Sequence, residues 1–135
     1  MLNSAPFKKF IKEFRENDIV FEENTHGSEM YVVHSGKVKL TSMAPGYEVA
    51  LGEVGPGDFF GEMSLCDSAP RTATAIVTEN KTCLVVLNRE KFLHLISQKP
   101  EFALTIMHAL CQRIRERWNL FDKLFAEMNA RNNGA

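Results

Sequence analysis

Apolar positions along this chain change their period once. Between residues 10 and 87 they come as short alternating runs separated by turn residues. From 88 to about 130 they recur every three or four residues without a glycine. The first pattern predicts strands and the second helices. Strands followed by helices predict an α+β domain rather than alternating β/α units. The strand-length runs are 18–22, 29–34, 37–41, 47–54, 72–78 and 82–87. Phe7, Phe10, Ile11 and Phe14 fit a helical stripe, but the run 10–14 is short enough to be a strand. Ser35-Gly36 between two β-rich runs predicts a tight hairpin. Val38 and Leu40 alternate with Lys37 and Lys39, one face buried and one solvated. Pro45-Gly46, Gly55-Pro56-Gly57-Asp58 and residues 79–81 mark further turns. Six to eight short strands at this spacing predict a small sandwich or jelly-roll barrel.

Two helices are expected next. Asn88 is a good N-cap for a helix over 89–98, with Phe92, Leu93 and Ile96 on one side. Pro100 suits the first turn of a second helix, and Glu101 favours its positive dipole end. Nothing interrupts that helix until about residue 129, so it runs close to 30 residues. Leu104, Met107, Cys111, Ile114, Trp118, Phe121, Phe125 and Met128 are spaced alternately three and four apart. Eight such positions in succession form a coiled-coil seam and predict a homodimer. A second row, Ile106, Leu110, Arg117, Leu120 and Leu124, is expected to face the barrel. The competing reading is one long helix packed twice against its own domain. The polar tail 130–135 is expected to be frayed and disordered.

Composition narrows the class without naming a function. The chain has 135 residues, 44% hydrophobic and 24% charged, with 16 basic against 17 acidic residues. One core suffices at this length, and the balanced charge argues against a nucleic-acid surface. Cys66, Cys83 and Cys111 form no CxxC pair, which fits a reduced, cytoplasmic setting. No secretory signal and no run of about 20 apolar residues is present. The four histidines show no metal-ligand spacing. No nucleophile motif, P-loop or carboxylate pair stands in a glycine-rich setting, so a binder is expected rather than an enzyme.

Candidate chemistry concentrates in residues 58–77, DFFGEMSLCDSAPRTATAIV. Gly61 permits close backbone approach and opens a helix of one or two turns. The N–H groups of Met63 and Ser64 at that start favour an anion. Arg71 is placed to return to the same spot, and its guanidinium suits a phosphate. Glu62 beside an anion makes sense once a ribose is added, because a carboxylate accepts a hydrogen bond from a sugar hydroxyl. One acidic group and one arginine thus describe a ribose-phosphate clamp.

This segment resembles the phosphate-binding cassette of cyclic nucleotide-binding domains. Phe60-Gly61-Glu62-Met63-Ser64-Leu65 followed by Pro70-Arg71-Thr72-Ala73-Thr74 matches the family pattern with the same Glu-to-Arg spacing. Gly27, Gly36, Gly55 and Gly57 fall where the family turns, and residues 31–36 resemble its Y-x-x-x-x-G segment. The likeness covers about residues 10–128. It implies a β jelly-roll barrel of about eight short antiparallel strands, then a short helix and a long C-terminal helix. The implied layout is an N-terminal segment 1–9, a barrel 10–87 with its cassette at 58–74, helices 88–129 and the tail. By the resemblance, Gly61 and Glu62 hold the ribose 2′-hydroxyl. Arg71 pairs the exocyclic phosphate, the backbone of Met63 and Ser64 completes the cradle, and Thr72 contacts phosphate or a guanine amino group. Arg117 and Trp118 fall where the family's helix meets the base. The ligand implied is cyclic AMP or cyclic GMP, with no cofactor; the lack of other guanine-reading groups tilts the choice to cyclic AMP. The chain departs from the pattern with Ser64 in place of alanine and with Asn17 and Asn24 at two turn glycines. Asparagine is the next best residue for a left-handed backbone. The helical segment that usually precedes the barrel is short or missing.

Plainer readings compete. Arg71 and Glu62 could form a surface ion pair, Thr72 could be an ordinary strand residue, and Trp118 and Phe121 could serve only the seam. Cys66 reads as a loop filler, and the charges at 113–117 as a solvated face. The expected function is a cyclic nucleotide sensor that couples occupancy to the long helix and acts on a downstream effector protein. The alternative is a ligand-independent dimeric adapter of the same fold. Direct DNA binding and membrane association are not expected.

Overall fold

The computed structural model describes residues 5–133; the expectations for residues 1–4 and 134–135 lie outside the described residues. A four-residue helix α1 (Ala5–Lys8) leads into β1 (Ile11–Phe14), so the ambiguous 10–14 run is a strand. There follow β2 (Ile19–Phe21), β3 (Glu29–Ser35), β4 (Val38–Ala44), β5 (Tyr47–Val54) and β6 (Phe59–Phe60). A single helical turn α2 (Met63–Cys66) precedes β7 (Thr74–Val77), β8 (Thr82–Asn88), α3 (Arg89–Gln98) and α4 (Glu101–Asn133). The strands form two four-stranded sheets, ordered β1-β8-β3-β6 and β2-β7-β4-β5. Every pairing is antiparallel, the jelly-roll arrangement the strand spacing predicts.

The core lies between the sheets. Alternation along each strand sends Tyr31 and Val33, Val38, Ala75 and Val77, and Leu84 into one cluster with Val54 and Phe60. Phe14, Val20, Phe21, Leu40 and Val86 pack against it. Val33, Val38, Val77 and Leu84 are wholly buried, so truncating any one to alanine leaves a cavity where the opposite sheet cannot follow.

One turn is not what local pattern predicts. Ser35-Gly36 makes no hairpin, because β3 and β4 belong to different sheets. It is a corner where the chain crosses the sandwich. Gly36 takes φ +88°, and a Cβ there would lie 2.7 Å from the Thr82 Cα. The corner is tied by residues far along the chain. Lys37 N–H donates to Thr82 Oγ1 at 3.4 Å, the same hydroxyl donates to the Glu79 carbonyl at 2.7 Å, and Thr78 N–H donates to the Lys37 carbonyl at 3.0 Å. Asn17 (φ 72°) and Asn24 (φ 66°) do hold left-handed turns.

The helices keep their expected starts. Asn88 Oδ1 accepts the Lys91 N–H at 2.8 Å, capping α3. Leu95 is the buried residue of α3, while Leu93 of the anticipated stripe is exposed. Helix α4 runs through Asn133, so residues 130–133 are helical rather than a frayed tail. No glycine or proline stops it earlier. Residues to Leu95 and residues from Ile96 form two compact units. In the second, Phe102 and Ile106 are buried, whereas the seam residues from Leu104 to Met128 stand exposed. Of the row expected to face the barrel, Leu120 and Leu124 are exposed as well.

Candidate functional site

The site is organised by a buried arginine. Arg71 lies just before β7 and is only 5% exposed. Its backbone is stitched to the β2–β3 loop: Arg71 N–H donates to the Thr25 carbonyl and Asn24 N–H to the Arg71 carbonyl, both at 2.8 Å. The left-handed Asn24 makes that return possible. Glu23 anchors the same loop, its carboxylate accepting the Met43 N–H at 2.9 Å and the Ser42 hydroxyl, while Glu23 N–H donates to Thr74 Oγ1 at 2.9 Å. Those two donors hold the Glu23 carboxyl below its ordinary pKa.

The guanidinium occupies a narrow seat. Nη2 donates to the Glu29 carbonyl at 2.9 Å and Nη1 to the Gly61 carbonyl at 3.2 Å. The Phe21 ring centroid is 4.1 Å from Cζ and the Tyr31 centroid 6.0 Å. A Cβ on Gly27 would fall 2.7 Å from Nε and 2.9 Å from Cζ; one on Gly61 would fall 2.9 Å from Nη1. Both positions must therefore be glycine for the side chain to lie where it does. Nε is buried and has no hydrogen-bond partner. Burial lowers the Arg71 pKa, opposed by Tyr31 and Glu29, yet an arginine remains a cation. A buried cation with one unsatisfied donor is costly alone and is relieved by an anion that accepts from it. Burial and the adjacent Glu29 raise the Tyr31 pKa in turn.

The other expected residues are placed as follows. Gly61 (φ +78°) and half-buried Glu62 lead into α2. Glu62 occupies the N-cap position but makes no side-chain cap. Ser64 N–H donates to the Gly61 carbonyl at 3.3 Å, so that one oxygen takes both Ser64 and Arg71. Met63 and Thr72 are exposed. Arg117 and Trp118 are exposed on α4, in the second unit. Arg71, Gly61 and the start of α2 are therefore brought together by hydrogen bonds. Sequence reasoning missed Phe21 and the Glu29 carbonyl, and it saw Gly27 only as a turn glycine. A cavity of about 470 Å³ opens along β1; it is lined by Glu29 and Tyr31 among others, but by no cassette residue. Among the described residues no group of three His, Cys, Asp or Glu could hold a metal, and no helix is long and apolar enough to cross a membrane.

The chain is similar to known proteins over most of its length. The profile of the cyclic nucleotide-binding domain matches residues 11–99. A CRP-like cAMP-activated global transcriptional regulator of Mycobacterium tuberculosis is 35% identical over 121 residues, 88% of this chain and 54% of the regulator. The cyclic AMP receptor protein of Thermus thermophilus is 41% identical over 98 residues, 72% of this chain and 45% of the receptor. The chain thus spans about half the length of these curated relatives. The crystal structure of the Thermus thermophilus catabolite activator protein superposes with a TM-score of 0.77 at 36% identity, covering 88% of this chain and 56% of that one. The barrel, the cassette and these matches agree: this chain belongs to the cyclic nucleotide-binding domain family.

Proposed function

We propose that the chain is a sensor for a cyclic purine mononucleotide, a binder rather than a catalyst. The observation that carries this reading is the buried Arg71 with its partnerless Nε between two obligatory glycines. A phosphodiester oxygen is the acceptor that completes this donor set. Glu62 and Gly61 take the ribose hydroxyl, and the Met63 and Ser64 backbone flanks the phosphate, Ser64 giving up its long bond to Gly61. Thr72 stands next to Arg71 in sequence, where its hydroxyl reaches phosphate or base. Arg117 and Trp118 are assigned to the purine, with cyclic AMP favoured over cyclic GMP. Ligand shifts the position of α4 by as much as it binds one arrangement more tightly than the other. The exposed seam of α4 accepts a second copy of the chain, and the signal passes to an effector protein in the cytoplasm.

Calorimetry with cyclic AMP and cyclic GMP tests the clamp. Wild-type chain binds at least one of them, and Arg71→Ala weakens binding by about a hundredfold, the worth of a charge-assisted pair. Equal affinity in the two proteins removes the clamp. Absence of binding to wild type at millimolar nucleotide, with no thermal shift, points instead to the adapter.

A further inference from the structure

Besides its two carbonyl partners, the Arg71 guanidinium rests on a platform supplied by an unexpected strand. Strand β2 is irregular. Ile19 pairs with Ile76 and Phe21 with Ala75, so two steps along β2 answer one step along β7. The extra residue is Val20. In a regular strand Val20 and Phe21 would point to opposite faces; here both pack against the core cluster. A bulge of this kind re-aims a side chain. The side chain it re-aims is Phe21, whose ring lies 4.1 Å from the Arg71 Cζ. The ring is itself fixed by Tyr31 and Phe60, each with its centroid 5.8 Å away. It also lies 3.4 Å from where a Gly61 Cβ would be, so it borders the cassette as well as the arginine.

We propose that Phe21 is a positioning residue: the β2 bulge turns its ring onto the Arg71 guanidinium and so holds the cation in register with the Glu29 and Gly61 carbonyls, leaving Nε–H for the ligand anion. The ligand part of this statement rests on the clamp reading above; the seat itself does not. The attraction of a cation to an aromatic face is strong where water is excluded, and Arg71 is buried. A leucine at position 21 fills much of the space but offers no π face, whereas a tyrosine keeps the face.

Two readouts separate the seat from the clamp. The first is the Arg71 Nε–H resonance and its exchange rate in ligand-free, ¹⁵N-labelled protein. Phe21→Leu shifts this resonance and speeds its exchange by about tenfold, the range of a desolvated cation–π contact. Phe21→Tyr leaves both near wild type. Val77→Ala, a core truncation on β7, lowers the melting temperature but does not move the resonance. The second readout is cyclic nucleotide affinity, which falls by about tenfold in Phe21→Leu and by less than about twofold in Phe21→Tyr. An unchanged Nε–H signal in Phe21→Leu, or a shift in Val77→Ala as large as in Phe21→Leu, overturns the proposal. If wild type binds no nucleotide the clamp fails, and the first readout still decides the role of Phe21.

Discussion

Gly27→Ala is the sharpest single perturbation of the arginine seat. Gly27 lies outside the left-handed region, so its backbone accepts alanine without strain. By restricting the unfolded chain, the change should even stabilise by about 0.4–1 kcal/mol. The new Cβ, however, falls 2.7 Å from Nε and 2.9 Å from Cζ of Arg71, where ordinary contact needs about 3.5–4.0 Å. The guanidinium must retreat by about 1 Å. Nη2 and Nη1 then leave the Glu29 and Gly61 carbonyls, bonds of 2.9 and 3.2 Å. Each charged hydrogen bond contributes about 1.5–3 kcal/mol. Part returns as the freed guanidinium meets water. The net loss of stability is about 1–2 kcal/mol, a fall in melting temperature of about 3–8 °C. Ligand affinity drops by about a hundredfold as the cation leaves its place. Calorimetry and thermal melting on Gly27→Ala, Arg71→Ala and the double variant form a cycle. In the Arg71→Ala background the glycine change has nothing to strike, so its stability cost vanishes. The reasoning is refuted if Gly27→Ala binds within about twofold of wild type, or if it costs the same stability with and without Arg71.

Three further outcomes follow from other parts of the structure. Thr82→Val keeps the shape of a wholly buried side chain but strips the hydroxyl that serves Glu79 and Lys37; it should cost about 1–3 kcal/mol in chemical denaturation. Glu23 has a depressed folded-state pKa, so its stabilising effect is present above the unfolded value and lost as pH falls through the folded one. Glu23→Gln should therefore destabilise at pH 7, and the difference should shrink as pH falls below the ordinary carboxylate range, read from paired melting curves. Phe121 is 58% exposed on the α4 seam and stacks on Phe125 with centroids 6.1 Å apart. Phe121→Glu should convert a dimer to a monomer in sedimentation while the barrel melts unchanged, and a wild-type chain that sediments as a monomer at high concentration disposes of the seam.

Much of this molecule is legible in its residues, and the exceptions have a common cause. Strand β5 begins and ends, and helix α3 begins, where Pro45-Gly46, Gly55-Pro56 and Asn88 say they should, because those limits are set by neighbours along the chain. Within the cassette, the positive φ of Gly61 and its contact with Arg71 are equally legible, since both residues carry their conformational and chemical demands in their own identities. Ser35-Gly36 misleads because a hairpin and a corner need the same flexible turn. What separates them here is Thr82, far along the chain on β8. The seat of Arg71 was hidden for the same reason. Phe21 reads as one more strand aromatic until the bulge opposite β7 turns it inward, and Gly27 reads as a turn until the side chain of Arg71 fills the space beside it. Helix α4 overran its expected end because polar residues that look like a tail contain no helix breaker before Gly134.

The double use of the Gly61 carbonyl has a dynamic consequence. One oxygen serves as acceptor for the arginine and for the first backbone bond of α2. Drawing the guanidinium aside hands that oxygen wholly to the Ser64 amide, and pressing it closer competes with the amide. The hydrogen-exchange rate of a single backbone proton at Ser64 therefore reports where the Arg71 side chain is sitting, with no label placed on either.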